Sequence, residues 1–354
     1  MRVRALFALL AALAIAWIAP LAGLAARGEA LRPYLHFPPR TQEVTHSGFS
    51  WPVFGMLAIP AFAAGALFFA ASRAPSSRQR SRSFPWWGWL GLALVALGWI
   101  LAWNADRMAA HLGRHAFTPL WLGYVLSVNG IVYRRSGESP LTHRTAWFVA
   151  LFPASVAFWW LFEYLNQFVR NWYYSGVQAA TDWEYVAQAS LPFSTVLPAV
   201  ASTWCLLKSW RFSLPALRGH RAFAWVALAA GALCLAATPV WPQALFPMLW
   251  IGPLLLLAGL QKLLLGETLF EPVARGDWSP VLQPAAAALI CGFFWELWNY
   301  GAAAKWHYSI PYVQRFQVFE MPLLGYAGYL PFGVCCALVM KILARLVEER
   351  RLRA

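Results

Sequence analysis

The chain reads as an all-α, polytopic membrane protein of about ten transmembrane helices, eight of them in tandem four-helix repeats of parallel orientation. Three observations carry that reading. Of 354 residues, 60% are hydrophobic and only 12% are charged, too little polar surface for a water-soluble globule of this size. Apolar stretches near the roughly 20 residues that a bilayer crossing requires fall at about 4–25, 51–72, 86–105, 117–133, 146–168, 188–207, 222–240, 246–265, 279–300 and 322–344. Finally, residues 117–139 reappear at 246–268 in a gapless match with eight identities in 23 positions, among them Phe117/Phe246, Trp121/Trp250, Gly123/Gly252 and Gly137/Gly266.

Residues 1–84 stand outside the duplication. The first apolar stretch begins with Arg2 and Arg4 and ends rich in alanine, as a signal peptide does, but it is longer than a signal core of about 7–15 residues. It is expected to persist as the first span. A second span follows an outer loop from His36 to Ser50, and the arginine-serine linker at 73–84 is expected to be disordered or laid on lipid headgroups. Repeat one occupies 85–210, repeat two 220–345, and 346–354 forms a basic cytoplasmic tail. Pro153 and Pro198 fall inside spans, where neighbouring helices satisfy the freed backbone groups. Four spans per repeat leave both copies in the same orientation, related by a pseudo-twofold axis along the membrane normal.

The net charge of +14 encodes topology. Under the ten-span arrangement 20 of the 28 lysines and arginines fall on one side, including Arg134, Arg135, Arg144, Lys208, Arg211, Lys262, Arg275 and the residues from Lys341 onward. That is the positive-inside pattern, with both termini cytoplasmic and a face that attracts anionic phospholipids. Short loops offer no continuous basic groove, so nucleic acid is not expected as a partner. Arginine outnumbers lysine 24 to 4 and alanine is abundant, a bias that suggests a GC-rich bacterium and its cytoplasmic (inner) membrane. All five cysteines lie in or at the ends of spans, where they act as small apolar side chains, and imply no disulfide framework.

Polar residues recur inside the apolar helices. Glu163 and Asn166, followed by Trp172 and Tyr174, reappear as Glu296 and Asn299, followed by Trp306 and Tyr308. A spacing of three puts each Glu–Asn pair on one helical face. At about 1.5 Å per residue, the carboxylates sit several ångströms below the outer interface. An intramembrane carboxylate costs about 2.5–3.5 kcal/mol on insertion scales and is a functional candidate by default; the alternative is a hydrogen-bonding clamp between helices. Glu320 is a third acid at a membrane boundary of repeat two. It either pairs with Glu296 or caps the N-terminal dipole of the last span. His111 and His115 are four apart, an incomplete metal set, so no metal is expected. Phosphate-cradling loops, dinucleotide fingerprints and nucleophile elbows are missing, which argues against nucleotide-driven pumping, dinucleotide redox chemistry and serine hydrolysis. Most of the 22 tryptophans form an interfacial belt. Those flanking the two glutamates (Trp159, Trp160, Trp172, Trp295, Trp298 and Trp306) are expected to line a pocket or steady a carbocation.

Duplicated membrane helices, embedded carboxylates, a Trp-x-Tyr loop and then an acid–proline segment resemble the integral-membrane lycopene cyclase and carotenoid hydratase families. The resemblance covers about 45 residues per copy, around Glu163 and around Glu296 to Pro322. It implies protonation of a polyene double bond by a membrane acid without a soluble cofactor, and it passes an acid role to Glu296 or Glu320. The first expectation is therefore a cofactor-independent enzyme acting on a lipid or isoprenoid. In it Glu296 and Glu320 serve as acid and base, and Asn166 and Asn299 orient them. Trp172, Tyr174, Trp295, Trp298, Trp306 and Tyr308 contact the substrate. The second expectation is a transporter or lipid-binding module in which Glu163 and Glu296 are equivalent sites at the repeat interface.

Overall fold

A computed structural model describes residues 1–73, 82–104, 113–220 and 222–348. The protein is mostly helical. Along the described chain run α1 (Arg2–Ala26), α2 (Trp51–Ala71), α3 (Trp86–Trp103), α4 (Phe117–Ser136), α5 (Thr145–Val169), α6 (Asp182–Phe193), α7 (Val196–Leu207), α8 (Phe223–Ala237), α9 (Met248–Leu265), α10 (Ser279–Tyr300) and α11 (Tyr329–Val347). Counting α6 with α7, and α11 with the 3-10 segment before it, eight are long and apolar enough to cross a membrane. Two expected spans fall outside that set for different reasons. Phe117–Ser136 has the length but carries Ser127, Asn129, Arg134 and Arg135, whereas Phe223–Ala237 is apolar but only 15 residues long. The centre of the arginine-serine linker (74–81), His111 and the end of the basic tail (349–354) lie outside the described residues.

Local chemistry sets the helix ends. Both α4 and α9 stop at a glycine in the left-handed region, Gly137 (φ 80°) and Gly266 (φ 74°), a conformation that costs other residues steric strain. The α6 N-terminus is capped by the Thr181 hydroxyl, which accepts from the Glu184 amide at 3.1 Å, with Asp182 and Glu184 in the first turn.

Packing is by small residues and aromatic rings. The buried stripe Ala5, Ala8, Ala12, Ala16, Ala19 and Gly23 lets α1 lie against α8, α9 and α11. A Cβ at Gly23 would stand 1.8 Å from the Ala236 carbonyl oxygen, so this approach of two backbones requires glycine. The innermost helix is α11, whose residues from Phe332 to Met340 are all buried. By contrast, α2 fully buries only Ala58 and Ala71, packs Phe54, Leu57 and Ala61 partly against the core and exposes large side chains such as Met56, Ile59, Phe62 and Phe69, as a lipid-facing helix does.

The two ends of the helical layer differ in chemistry. At one end Arg345 Nε donates to Glu267 at 2.8 Å and Arg144 Nε to Glu348 at 2.8 Å, joining helix termini that are distant in sequence. Three small antiparallel pairs complete the fold: β1 (Ser72–Arg73) with β3 (Arg211–Phe212), β2 (Trp172–Ser175) with β4 (Lys305–Tyr308), and β5 (Gln317–Val318) with β6 (Met321–Pro322). The ribbon of β2 and β4 occupies the other end. There the segment around 40–50 is tied down by bonds from Ser309 Oγ to the Val44 carbonyl (2.8 Å) and from the Tyr312 amide to the Ser47 carbonyl (3.2 Å).

Candidate functional site

The site grows out of the C-terminal ends of α5 and α10. Helix α5 ends at Arg170 in the left-handed region (φ 52°), and the chain that leaves it has unpaired backbone groups. Asn166 satisfies them: its Oδ1 accepts from the Asn171 amide at 2.8 Å, and its Nδ2 donates to the Trp172 carbonyl at 2.8 Å and to Thr41 Oγ1 at 3.1 Å. Asn299 does the same after α10, accepting from the Trp306 amide at 2.9 Å and donating to the Trp306 carbonyl at 2.8 Å. The asparagines therefore anchor the strands. Both are wholly buried, and neither lines a cavity nor bonds a carboxylate, because they stand a turn closer to the helix end than the glutamates do.

Strand geometry then aims the aromatic residues. In β2 and β4 successive side chains alternate faces, so Trp172, Tyr174, Trp306 and Tyr308 share the face turned toward the helices. The register sets Trp172 opposite Tyr308 and Tyr174 opposite Trp306. Glu163, 2% exposed, accepts on Oε1 from Trp159 Nε1 (3.0 Å), Trp172 Nε1 (3.1 Å) and the Tyr174 hydroxyl (2.5 Å), and Trp172 Nε1 also reaches Oε2 at 3.3 Å. Glu296, 0% exposed, accepts on Oε1 from the hydroxyls of Tyr308 (2.7 Å) and Tyr329 (2.8 Å). Its Oε2 has no hydrogen-bond partner among the described residues. Burial, and then the neighbouring Glu163, pushes the Tyr174 phenol well above its ordinary value. Burial and Glu296 do the same to Tyr308. Both phenols remain neutral donors.

In front of these residues lies a cavity of about 660 Å³. Trp159, Trp172, Tyr174, Trp250, Trp295, Trp306, Tyr308 and Tyr329 wall it, and Arg114, His115, Glu184, Gln188 and Lys305 add polar groups. The carboxylates stand one layer behind this wall, reached through the indole N–H and phenol O–H groups. Trp298 does not reach the cavity. It is 1% exposed and packs edge-on against Trp121 with ring centroids 5.0 Å apart.

Glu320 has other partners than the one expected. It lies in the turn between β5 and β6, which carries it over the outward face of β4. There Oε1 meets Lys305 Nζ at 2.7 Å and Oε2 meets His307 Nδ1 at 3.2 Å. No hydrogen bond joins it to Glu296, nor does it sit in the first turn of α11. Burial pushes its carboxyl up, but the Lys305 ammonium and His307 more than reverse this and hold it below the usual carboxylate value. Among the described residues, no group of three or more His, Cys, Asp or Glu side chains is placed to hold a metal ion.

The sequence does not assign Trp250 and Tyr329 to the site, and it marks Trp159 only as one of the tryptophans flanking Glu163. Trp250 carried a signal, since it belongs to the repeated segment as the counterpart of Trp121. Trp159 carried one too, since it stands four residues before Glu163 on the same helical face; Tyr329 carried none, because its role follows from how α11 is rotated.

Fold and site define a multi-pass helical membrane protein with an aromatic-walled cavity backed by two buried carboxylates. No family model matches the chain, and neither curated proteins nor solved structures show a match to it.

Proposed function

We propose that this protein is a cofactor-independent enzyme of a bacterial cytoplasmic membrane, using acid–base chemistry on a lipid or isoprenoid, with Glu296, Tyr308 and Tyr329 as its proton-exchanging unit. The observation that carries this reading is the inequality of the two carboxylates. Glu163 has donors on both oxygens, whereas Glu296 has a buried Oε2 with no partner and two phenols between it and the cavity. An oxygen without a donor can carry a proton at no loss of a hydrogen bond. A cavity walled mainly by indole and phenol rings suits a flat apolar substrate and can steady a developing carbocation by cation–π attraction.

We read the architecture as ten spans, with 85–210 and 220–345 related by a rotation of about 180° near the membrane normal. Support comes from the antiparallel pairing of β2 with β4 in a register that exchanges equivalent residues. The matching glycine caps and the matching roles of Asn166 and Asn299 agree with it. The same local symmetry favours the second reading, a passage or lipid-binding module in which both halves contribute equally.

Lipid extracts from cells bearing the wild-type protein, Glu296→Gln or Glu163→Gln separate the two. The enzyme reading expects a lipid or isoprenoid species that depends on the protein, is lost with Glu296→Gln and is largely kept with Glu163→Gln. Equal loss in both variants would favour the passage, and an unchanged extract in every strain would remove the enzyme reading.

A further inference from the structure

The outward face of the ribbon holds a second constellation. Ser175 Oγ lies 2.8 Å from His307 Nε2, and His307 Nδ1 lies 3.2 Å from Glu320 Oε2. The register explains the meeting. Tyr173 stands opposite His307 and Ser175 opposite Lys305, so Ser175 and His307 are diagonal neighbours on one face, although 132 residues separate them. We propose that Ser175, His307 and Glu320 are nucleophile, base and orienting acid of a triad that hydrolyses carboxylic esters of long apolar acids at the membrane surface.

The hydrogen bonds select a workable tautomer. Glu320 is an acceptor, so His307 carries its proton on Nδ1 and turns the Nε2 lone pair to the Ser175 hydroxyl, the arrangement that general-base activation requires. The Lys305 ammonium bonded to Glu320 keeps that acid ionised. The Tyr173 ring, stacked on His307 at 5.3 Å and 28°, restrains the imidazole. Gly176 takes a left-handed turn directly after Ser175 (φ 71°), where a Cβ would stand 2.0 Å from the Ala303 carbonyl oxygen. The serine thus sits at a sharp bend. Lys305, opposite Ser175 in the register, gives two of its three ammonium donors to Glu320 Oε1 (2.7 Å) and the Tyr300 carbonyl (3.2 Å), which leaves one for a developing oxyanion. His307 and Glu320 are 25% and 20% exposed, which gives water access.

The substrate class follows from what adjoins the triad. Lys305 lines the aromatic cavity, as do Val177 and Gln178 just beyond Ser175. Ser175, His307 and Glu320 do not themselves line the cavity, so an apolar acyl chain held there would bring its ester to Ser175 round the end of the ribbon, past Val177, Gln178 and Lys305. This rests on the cavity's shape and not on the proton-exchange role of Glu296. In the reaction Ser175 Oγ bonds to the carbonyl carbon as its proton passes to His307 Nε2, and the carbonyl π pair moves to oxygen. Collapse breaks the bond to the alcohol, which leaves with the proton from His307. Water then gives a proton to His307 and its oxygen bonds to the acyl carbon. The carboxylic acid departs and Ser175 regains its proton, so ester and water become acid and alcohol.

The test uses the full-length protein in detergent micelles or nanodiscs. A fluorophosphonate probe should modify Ser175, as located by peptide mapping, and the protein should hydrolyse p-nitrophenyl palmitate faster than p-nitrophenyl acetate. Ser175→Ala and His307→Ala should each lower labelling and hydrolysis by about 100-fold or more, with elution and melting like wild type. Glu320→Gln should lower kcat more than it raises KM and shift the pH–rate profile, which a purely structural role would not do. Fatty acid released from phosphatidylglycerol vesicles would assign a membrane lipid as the ester source; hydrolysis of the palmitate ester alone would assign a soluble acyl ester. Probe on another residue or on none, full hydrolysis by Ser175→Ala, or preference for the acetate ester would overturn the proposal. Should Ser175→Ala not fold, the mapping of the probe on the wild-type protein decides.

Discussion

Truncating the two buried glutamates should destabilise the protein unequally, with Glu163→Ala the worse. Glu163 is the acceptor for three donors, the Trp159 and Trp172 indoles and the Tyr174 hydroxyl. A buried donor left without a partner costs about 1–3 kcal/mol. All three face the cavity, where water can replace part of the loss, so the expected penalty is about 3–5 kcal/mol rather than the roughly 3–9 kcal/mol of a dry site. Glu296→Ala frees two phenols that converge on the same oxygen at 2.7 and 2.8 Å. They are near enough to bond each other, which leaves one donor orphaned at about 1–3 kcal/mol. The difference of about 2 kcal/mol corresponds to an apparent Tm gap of roughly 3 °C for a chain of 354 residues. Glutamine at either position keeps the Oε1 acceptor and should melt within about 1 kcal/mol of wild type. Tryptophan fluorescence during heating, checked by gel filtration, measures the order. A lower Tm for Glu296→Ala than for Glu163→Ala, or a Glu163→Gln variant as unstable as Glu163→Ala, would refute this account of the two sites.

Two other expectations concern the ends of the molecule. Because the folded-state pKa of Glu320 lies below the ordinary carboxylate value of about 4.3, its bonds to Lys305 and His307 stabilise the ribbon fully above that pH and are lost as pH falls through the lower folded value. Hydrogen-exchange protection factors of 305–308 and 317–322, taken relative to the intrinsic rate at each pH, should fall on acidification in the wild type and stay flat with Glu320→Gln; protection that grows on acidification would contradict the sign. Reporter fusions at Gly137 and Arg218 should read cytoplasmic and one at Tyr312 periplasmic, as the 20-of-28 partition of basic residues implies, and opposite readings at two of the three would sink the ten-span topology.

Much of the helical layout was legible because membrane helices obey a local rule. A run of about 20 apolar residues has only one economical conformation in hydrocarbon, and among the described residues each apolar stretch read from the chain is mostly helical, although 188–207 is broken at 194–195 and the last stretch begins as a strand end and a 3-10 turn. The rule reads length and polarity only. It did not show that Phe223–Ala237 is too short to meet the usual span length, or that α2 packs only along a narrow stripe while α1 packs deeply. Glu163 and Glu296 stood out from the chain because a carboxylate among apolar residues is conspicuous. Their partners did not, because tryptophan and tyrosine are abundant everywhere in this composition.

The amino-acid sequence by itself determined that the chain is helical and membrane-like, and that a carboxylate, an amide and two aromatic residues occur twice in the same order, at Glu163 to Tyr174 and at Glu296 to Tyr308. These are properties of local spacing and polarity, which act within a turn or two of helix. Tertiary structure alone decided that β2 meets β4, that Glu163 is fully donated while one oxygen of Glu296 is left without a partner, and that Glu320 turns to Lys305 and His307 instead of to Glu296. The physical reason is that hydrogen bonds are satisfied in space. Ser175 and His307 become neighbours only once two strands from opposite halves pair in one register, and no spacing along the chain records that register.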